Sequence, residues 1–232
     1  MSPVTTRGDW LTPVPACRWR RALRAPAGAA LVAVSLALVL AAGAARAGGP
    51  EPPVRSLIEL RRHNVVIQQW DLSCGAAALA TVLRYQFGES VTERGVALGL
   101  IDRPEYYANP ELVRRRRGFS LLDLKRFVDA RGYRGIGLGR LTLSDLVQRA
   151  PVIVPVHLQG FPHFVVFRGT ARDRVLLADP AFGNVTVTRA AFEDAWIDYA
   201  EVGRVGFVVH RDGGRAPPGR LRARPREFVM LR

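Results

Sequence analysis

The spacing of apolar residues changes character along the chain. From Cys74 to Phe87 the sequence CGAAALATVLRYQF combines strong helix formers with an apolar stripe through Ala77, Leu79, Ala80, Leu83 and Tyr85. This predicts a mostly buried helix, stopped by Gly88. Ser120 then heads Leu121, Leu122, Leu124, Phe127 and Val128, with Asp123 three residues beyond it, a helix start that carries on to Gly132. Leu143 to Arg149 predicts a shorter helix, broken by Pro151. Beyond it the runs VIVPVHL, HFVVFRG, RVLLAD, NVTVT and RVGFVVH are short, rich in β-branched residues and separated by turn residues. They predict an antiparallel sheet, with Ala190 to Trp196 as one more short helix between strands. A helical front and a stranded back make an α+β domain, expected over residues 60–210.

The first 47 residues follow another pattern. Arg18, Arg20, Arg21 and Arg24 precede an uncharged run from Ala25 to Ala45 that ends in Ala45-Arg46-Ala47. A basic flank, an apolar stretch and a small-residue end predict an export signal cleaved after Ala47, residues 1–47 being removed. An uncleaved anchor is the alternative, since about 20 apolar residues span a bilayer. Either outcome puts the domain outside the cytoplasm, periplasmic or extracellular. Gly48 to Pro53 opens a Gly/Pro linker over residues 48–59, and residues 211–232 form an Arg/Pro-rich tail expected to be extended and solvated. Contact with a membrane is expected only through an uncleaved N-terminal segment or this basic tail.

Charge and cysteine usage narrow the picture further. The 232 residues carry 34 basic and 20 acidic side chains, a net charge of +14, and Lys125 is the only lysine. A nucleic-acid face normally uses both basic residues interleaved with aromatics, so no nucleic-acid partner is expected. Loss of residues 1–47 removes six arginines, one aspartate and Cys17, leaving a net charge of +9 and Cys74 as the sole thiol. That thiol has no internal disulfide partner in an oxidising compartment, which makes it a candidate for use.

Cys74 stands at a predicted helix start, where the partial positive charge of the helix end stabilises a thiolate, and Asp71 or Ser73 is placed to cap. Gly75 beside it leaves room for a substrate backbone. A thiolate peptidase needs an imidazole to carry the proton. Of the four histidines, His63 and His210 read as solvated, His163 opens the strand HFVVF, and His157 across the turn LQGFP is the reserve. Asp179 ends the next strand before Pro180, where an adjacent antiparallel strand brings it beside His163 to orient the ring. Oxyanion donors are available from the Cys74 N–H and the amide of Gln68 or Gln69. No spacing of His, Cys and carboxylates suits a metal, and no metal or other cofactor is expected.

The segment VVIQQWDLSCGAAALATVLRYQFG resembles the active-site segment of the bacteriocin-processing, double-glycine leader peptidases, a family of papain-like cysteine peptidases. HFVVFRGTARDRVLLADPAFGNVTVTRAAFEDAW is similar to the family's second block, and GFSLLDLKRFVDARGY to the stretch between them. The resemblance spans residues 60–209 and implies roles: Cys74 as nucleophile, His163 as base, Asp179 as orienter, and Gln68, six residues before Cys74, in the oxyanion hole. It implies a papain-like fold, with the nucleophile at a helix N-terminus packed on a C-terminal antiparallel sheet. It also implies endopeptidase action on a leader or secreted peptide at a Gly-Gly type site. Many relatives are fused to an ATP-driven exporter. Here the single lysine lies in a predicted helix, so no phosphate loop and no ATP binding are expected. The chain therefore resembles a stand-alone exported member, and some such members accompany secretion systems for amyloid or peptide products. A non-catalytic peptide-binding accessory of a secretion system is the alternative.

Overall fold

The computed structural model describes residues 56–109, 111–158, 160–213 and 218–228. The expected export signal and the start of the linker lie outside them. Among the described residues no helix is long and apolar enough to cross a membrane.

The chain is already helical before residue 60. Ser56 and Glu59 form a reciprocal capping box that starts α1 (Leu57–Arg62). An extended segment leads to α2 (Cys74–Thr81), every residue of which is buried. The expected stripe is thus a helix buried all round, as its Ala-rich composition permits. The helix continues as a π-helical turn, Val82–Gln86. Three helices follow that went unread in the sequence: α3 (Glu93–Ile101), α4 (Pro104–Ala108) and α5 (Leu112–Arg115). The predicted capping box is present at α6 (Leu121–Asp129), where Ser120 and Asp123 bond reciprocally.

Strand β1 (Arg134–Leu138) was not anticipated, because Gly135 and Gly137 interrupt the β-branched pattern. After α7 (Leu143–Arg149) come β2 (Val152–Leu158), β3 (Phe161–Ala171), β4 (Arg174–Asp179) and β5 (Gly183–Thr188). Then α8 (Arg189–Ala195), a small pair β6 (Asp198–Tyr199) with β7 (Gly203–Arg204), and β8 (Gly206–His210) complete the domain. The main sheet runs β1-β8-β2-β3-β4-β5, antiparallel throughout.

Alternation along the strands feeds two cores. Ile153, Val166, Ala178 and Phe207 pack with Leu79 and Leu83 of the nucleophile segment and with Leu124 and Val128 of α6. Val152, Val154, Val165, Phe167 and Leu177 pack on the opposite face with Leu146 of α7 and with Phe192 and Trp196. Leu79 and Leu83 are fully buried, each contributing about 1.5–3 kcal/mol of transfer free energy. This burial seats α2 on the sheet next to β3.

The segment after β8 departs from the expected solvated tail. Leu221 is fully buried, and the Gly219 and Arg220 N–H groups donate to the carbonyls of Gln86 and Tyr85. Arg168, buried in β3, donates to the Leu221 carbonyl at 3.0 Å, to Asn184 Oδ1 at 2.6 Å and to the Glu227 carboxylate at 2.8 Å. Asn184 in turn donates to the Leu60 and His63 carbonyls at 3.1 and 2.7 Å. One buried guanidinium therefore links both ends of the described chain to the sheet.

Candidate active site

Cys74 is the first residue of α2 and is 7% exposed. Neither expected capping arrangement is present: Ser73 occupies the cap position without bonding a helix N–H, and its hydroxyl instead shares its one proton between the Trp70 carbonyl at 2.6 Å and the Glu93 carboxylate at 2.5 Å. The first-turn amides around the sulfur are thereby left uncapped by Ser73, and they retain the positive end of the helix dipole.

Gly75 serves packing rather than substrate access. A Cβ at this position would lie 3.3 Å from the Phe164 ring and 3.8 Å from Phe119, so the glycine lets α2 close on β3. Phe164 directly follows His163, so this close approach fixes how near the imidazole comes to the sulfur.

His163 Nε2 lies 2.8 Å from Asp179 Oδ1. The two residues sit on the neighbouring antiparallel strands β3 and β4, as the sequence reading expected of them. Asp179 is 3% exposed, and the same oxygen accepts the Ala181 and Phe182 N–H groups at 2.7 and 3.3 Å. The Asp-Pro element is therefore both a turn former and a partner of the imidazole. Burial alone would lower the pKa of His163, but its bond to Asp179 and its contact with Cys74 outweigh that and push it up to about 9. The ring is an imidazolium at neutral pH. With Nε2 held by Asp179, Nδ1 is the nitrogen left for the sulfur.

The other histidines lie elsewhere. His157 and His210 are exposed, and His63 Nδ1 lies 3.8 Å from the Glu227 carboxylate, away from Cys74. The two glutamines also separate. Gln69 is exposed, its side-chain amide donating to the Ile67 carbonyl at 3.4 Å. Gln68 is half-buried: its amide nitrogen donates one hydrogen to the Trp70 carbonyl at 3.3 Å, and among the described residues its buried Oε1 and its second N–H have no partner. The Gln68 backbone N–H donates to the Pro180 carbonyl at 2.9 Å, which ties this segment to the turn carrying Asp179.

A cleft of about 370 Å³ opens on Cys74 and His163, walled by Phe119, Phe164, Pro155 and Tyr199, with Arg116 and Arg117 also lining it. Buried Asp123 secures one wall by accepting from the Ser120 N–H and hydroxyl, the Tyr106 hydroxyl and Arg103. Its burial works against ionisation, but these bonds hold its carboxyl below the usual range. Burial and the Asp123 carboxylate together push Tyr106 up to about 12.

The sequence model of the Peptidase C39 family matches residues 110–202, a span that contains His163 and Asp179. A protein of Pseudomonas aeruginosa named "Probable functional amyloid protease FapD" is 38% identical over 179 residues, covering 75% of this chain and 74% of the relative. The Pseudomonas fluorescens protein of the same name is 41% identical over 145 residues, 62% of this chain and 61% of that protein. Among solved structures, the peptidase domain of Streptococcus ComA, a bi-functional ABC transporter, aligns with a TM-score of 0.50 at 17% identity, covering 65% of this chain and all of that domain. It shares the papain-like α+β fold. Fold and sequence similarity together make this chain a cysteine peptidase of the Peptidase C39 family.

Proposed function

We propose that this chain is an exported cysteine endopeptidase that cuts a leader or secreted peptide, at a Gly-Gly type junction, through Cys74, His163, Asp179 and Gln68. In this reading the Cys74 thiolate attacks the scissile carbonyl, forming a C–S bond and a tetrahedral oxyanion. The oxyanion receives the Cys74 N–H and the free N–H of the Gln68 amide. The His163 imidazolium gives its proton to the leaving amine as the C–N bond breaks. Water then adds to the acyl-enzyme carbonyl as His163 takes its proton, the C–S bond breaks to release the acid and the Cys74 thiolate, and Asp179 keeps the ring in register throughout.

The observation that carries the reading is the 2.8 Å contact of His163 with buried Asp179, on a ring that also contacts Cys74 at a helix start. Phe119 and Phe164 beside the sulfur suit residues without side chains, as a Gly-Gly junction provides. The names of the two Pseudomonas relatives point to a client belonging to a functional amyloid. Export itself is inferred from residues 1–47; the peptidase domain begins with α1 and takes in the docked segment around Leu221 and Glu227.

The test is incubation of the purified chain with synthetic peptides carrying a central Gly-Gly pair, followed by mass spectrometry. Cleavage after Gly-Gly that disappears in Cys74→Ser is expected. Cleavage that survives in Cys74→Ser, or a wild-type chain that leaves every Gly-Gly peptide intact, contradicts the proposal.

A further inference from the structure

One buried carboxylate touches the segment between Gln68 and Cys74 and has no part in the chemistry above. Glu93, 4% exposed, is the first residue of α3, remote in sequence from the nucleophile. Its Oε1 accepts the Ser73 hydroxyl at 2.5 Å, and both its oxygens accept the Gln69 N–H at 2.9 Å. Ser73 immediately precedes the nucleophile and Gln69 immediately follows Gln68. A single carboxylate thus holds both ends of the loop that joins the two groups assigned to the oxyanion.

The rest of the loop is built as if it needs holding. Leu72 has φ +65, a left-handed backbone that a leucine keeps only where its surroundings impose it. On its far side the loop is fixed by the Gln68 N–H on the Pro180 carbonyl. Without Glu93, the described holds on this segment are the Gln68 bonds to the Pro180 and Trp70 carbonyls and the Val66 N–H on Thr81 Oγ1, none of which runs from α3 to the residue before Cys74. Burial makes the carboxylate's bonds strong and their loss felt.

We propose that Glu93 is a positioning residue for the oxyanion hole, fixing the separation between the Gln68 amide and the Cys74 N–H. This rests on the roles proposed above for Cys74 and Gln68. Glu93 reaches neither the sulfur nor a substrate; it acts through Ser73 and Gln69.

The discriminating variant is Glu93→Gln in the full chain, which keeps the shape but removes the negative charge and leaves one acceptor oxygen where the Gln69 N–H and the Ser73 hydroxyl now meet two. Three readouts separate positioning from simple support: cleavage of the Gly-Gly peptide, affinity for a peptide aldehyde ending in Gly-glycinal, and iodoacetamide alkylation of Cys74 followed by mass spectrometry. Cleavage and aldehyde binding both need the oxyanion donors, whereas alkylation forms no oxyanion. The expected result is a fall in kcat of about tenfold to a hundredfold with little change in KM. Aldehyde affinity falls in proportion and the alkylation rate holds, with Ser73→Ala giving a smaller loss of the same kind. Equal losses in cleavage and alkylation show that Glu93 only supports the fold and overturn the inference, as does unchanged cleavage. A wild-type chain alkylated no faster than free cysteine overturns the triad and this inference together. Wild-type reactivity with an unaffected Glu93→Gln overturns this inference alone.

Discussion

His163 is charged at neutral pH because a carboxylate and a sulfur face it in a buried setting. Its folded pKa, about 9, lies above the ordinary value of 6.5, so the charge stabilises the fold fully below pH 6.5. That contribution is lost as the pH rises through about 9. The same titration should set the alkaline limb of kcat/KM, which is expected to fall near pH 9 in the wild-type chain. Asp179→Asn removes the negative charge that raises the pKa while burial still lowers it. The alkaline limb then moves to lower pH and kcat falls on the order of a hundredfold; a pH profile with an unmoved limb counts against Asp179 as the orienter. At this scale much of the site could be read from sequence, since Cys74 begins a helix, Asp179 ends a strand and His163 lies near the start of one. Glu93 could not. A glutamate at a helix start reads as a partner of its own helix dipole, and nothing local says that it bonds residues as distant as Gln69 and Ser73.

Among the elements, the junction of α2, β3 and β5 with the chain's N-terminal segment places these side chains. Gly183 at the start of β5 shows how tight the fit is: it has φ +81, and a Cβ there would lie 2.4 Å from the Arg61 carbonyl oxygen. Gly183→Ala must distort either α1 or the turn after Asp179, and is expected to destabilise by about 2 kcal/mol or more in urea unfolding. A variant as stable as the wild-type chain would mean that α1 is not held against β5. The five runs read as strands are all strands because their β-branched and aromatic positions alternate between two apolar faces. The alternation failed as a signal at β1, where Gly135 is packed against Phe207 of β8 and Val128 of α6, while Gly137 faces open space. It also gave no signal at the short helices α4 and α5, and α3 went unread although Val96 and Leu100, both fully buried, stand four residues apart.

For the molecule as a whole, the two ends of the described chain are joined through one residue. Arg168, read from sequence only as part of a strand, holds Leu221 and Glu227 directly and reaches the carbonyls of Leu60 and His63 through Asn184. The Arg/Pro-rich composition after residue 211 masked this, because one leucine and one glutamate carry the docking while their neighbours stay exposed. Leu221→Ala is expected to cost about 2–5 kcal/mol. Arg168→Met, which leaves Glu227 without its cation, should cost about 3–5 kcal/mol. Chemical denaturation checks both, and wild-type stability in either would show that the segment is not part of the folded domain. All this scaffolding converges on one claim, that Cys74 is a nucleophile activated by His163. The most direct measurement is the rate of iodoacetamide alkylation at Cys74 at neutral pH, in the wild-type chain and in His163→Ala. The account predicts a wild-type rate above that of free cysteine and loss of the excess in His163→Ala; a rate equal to free cysteine and indifferent to His163 would contradict it.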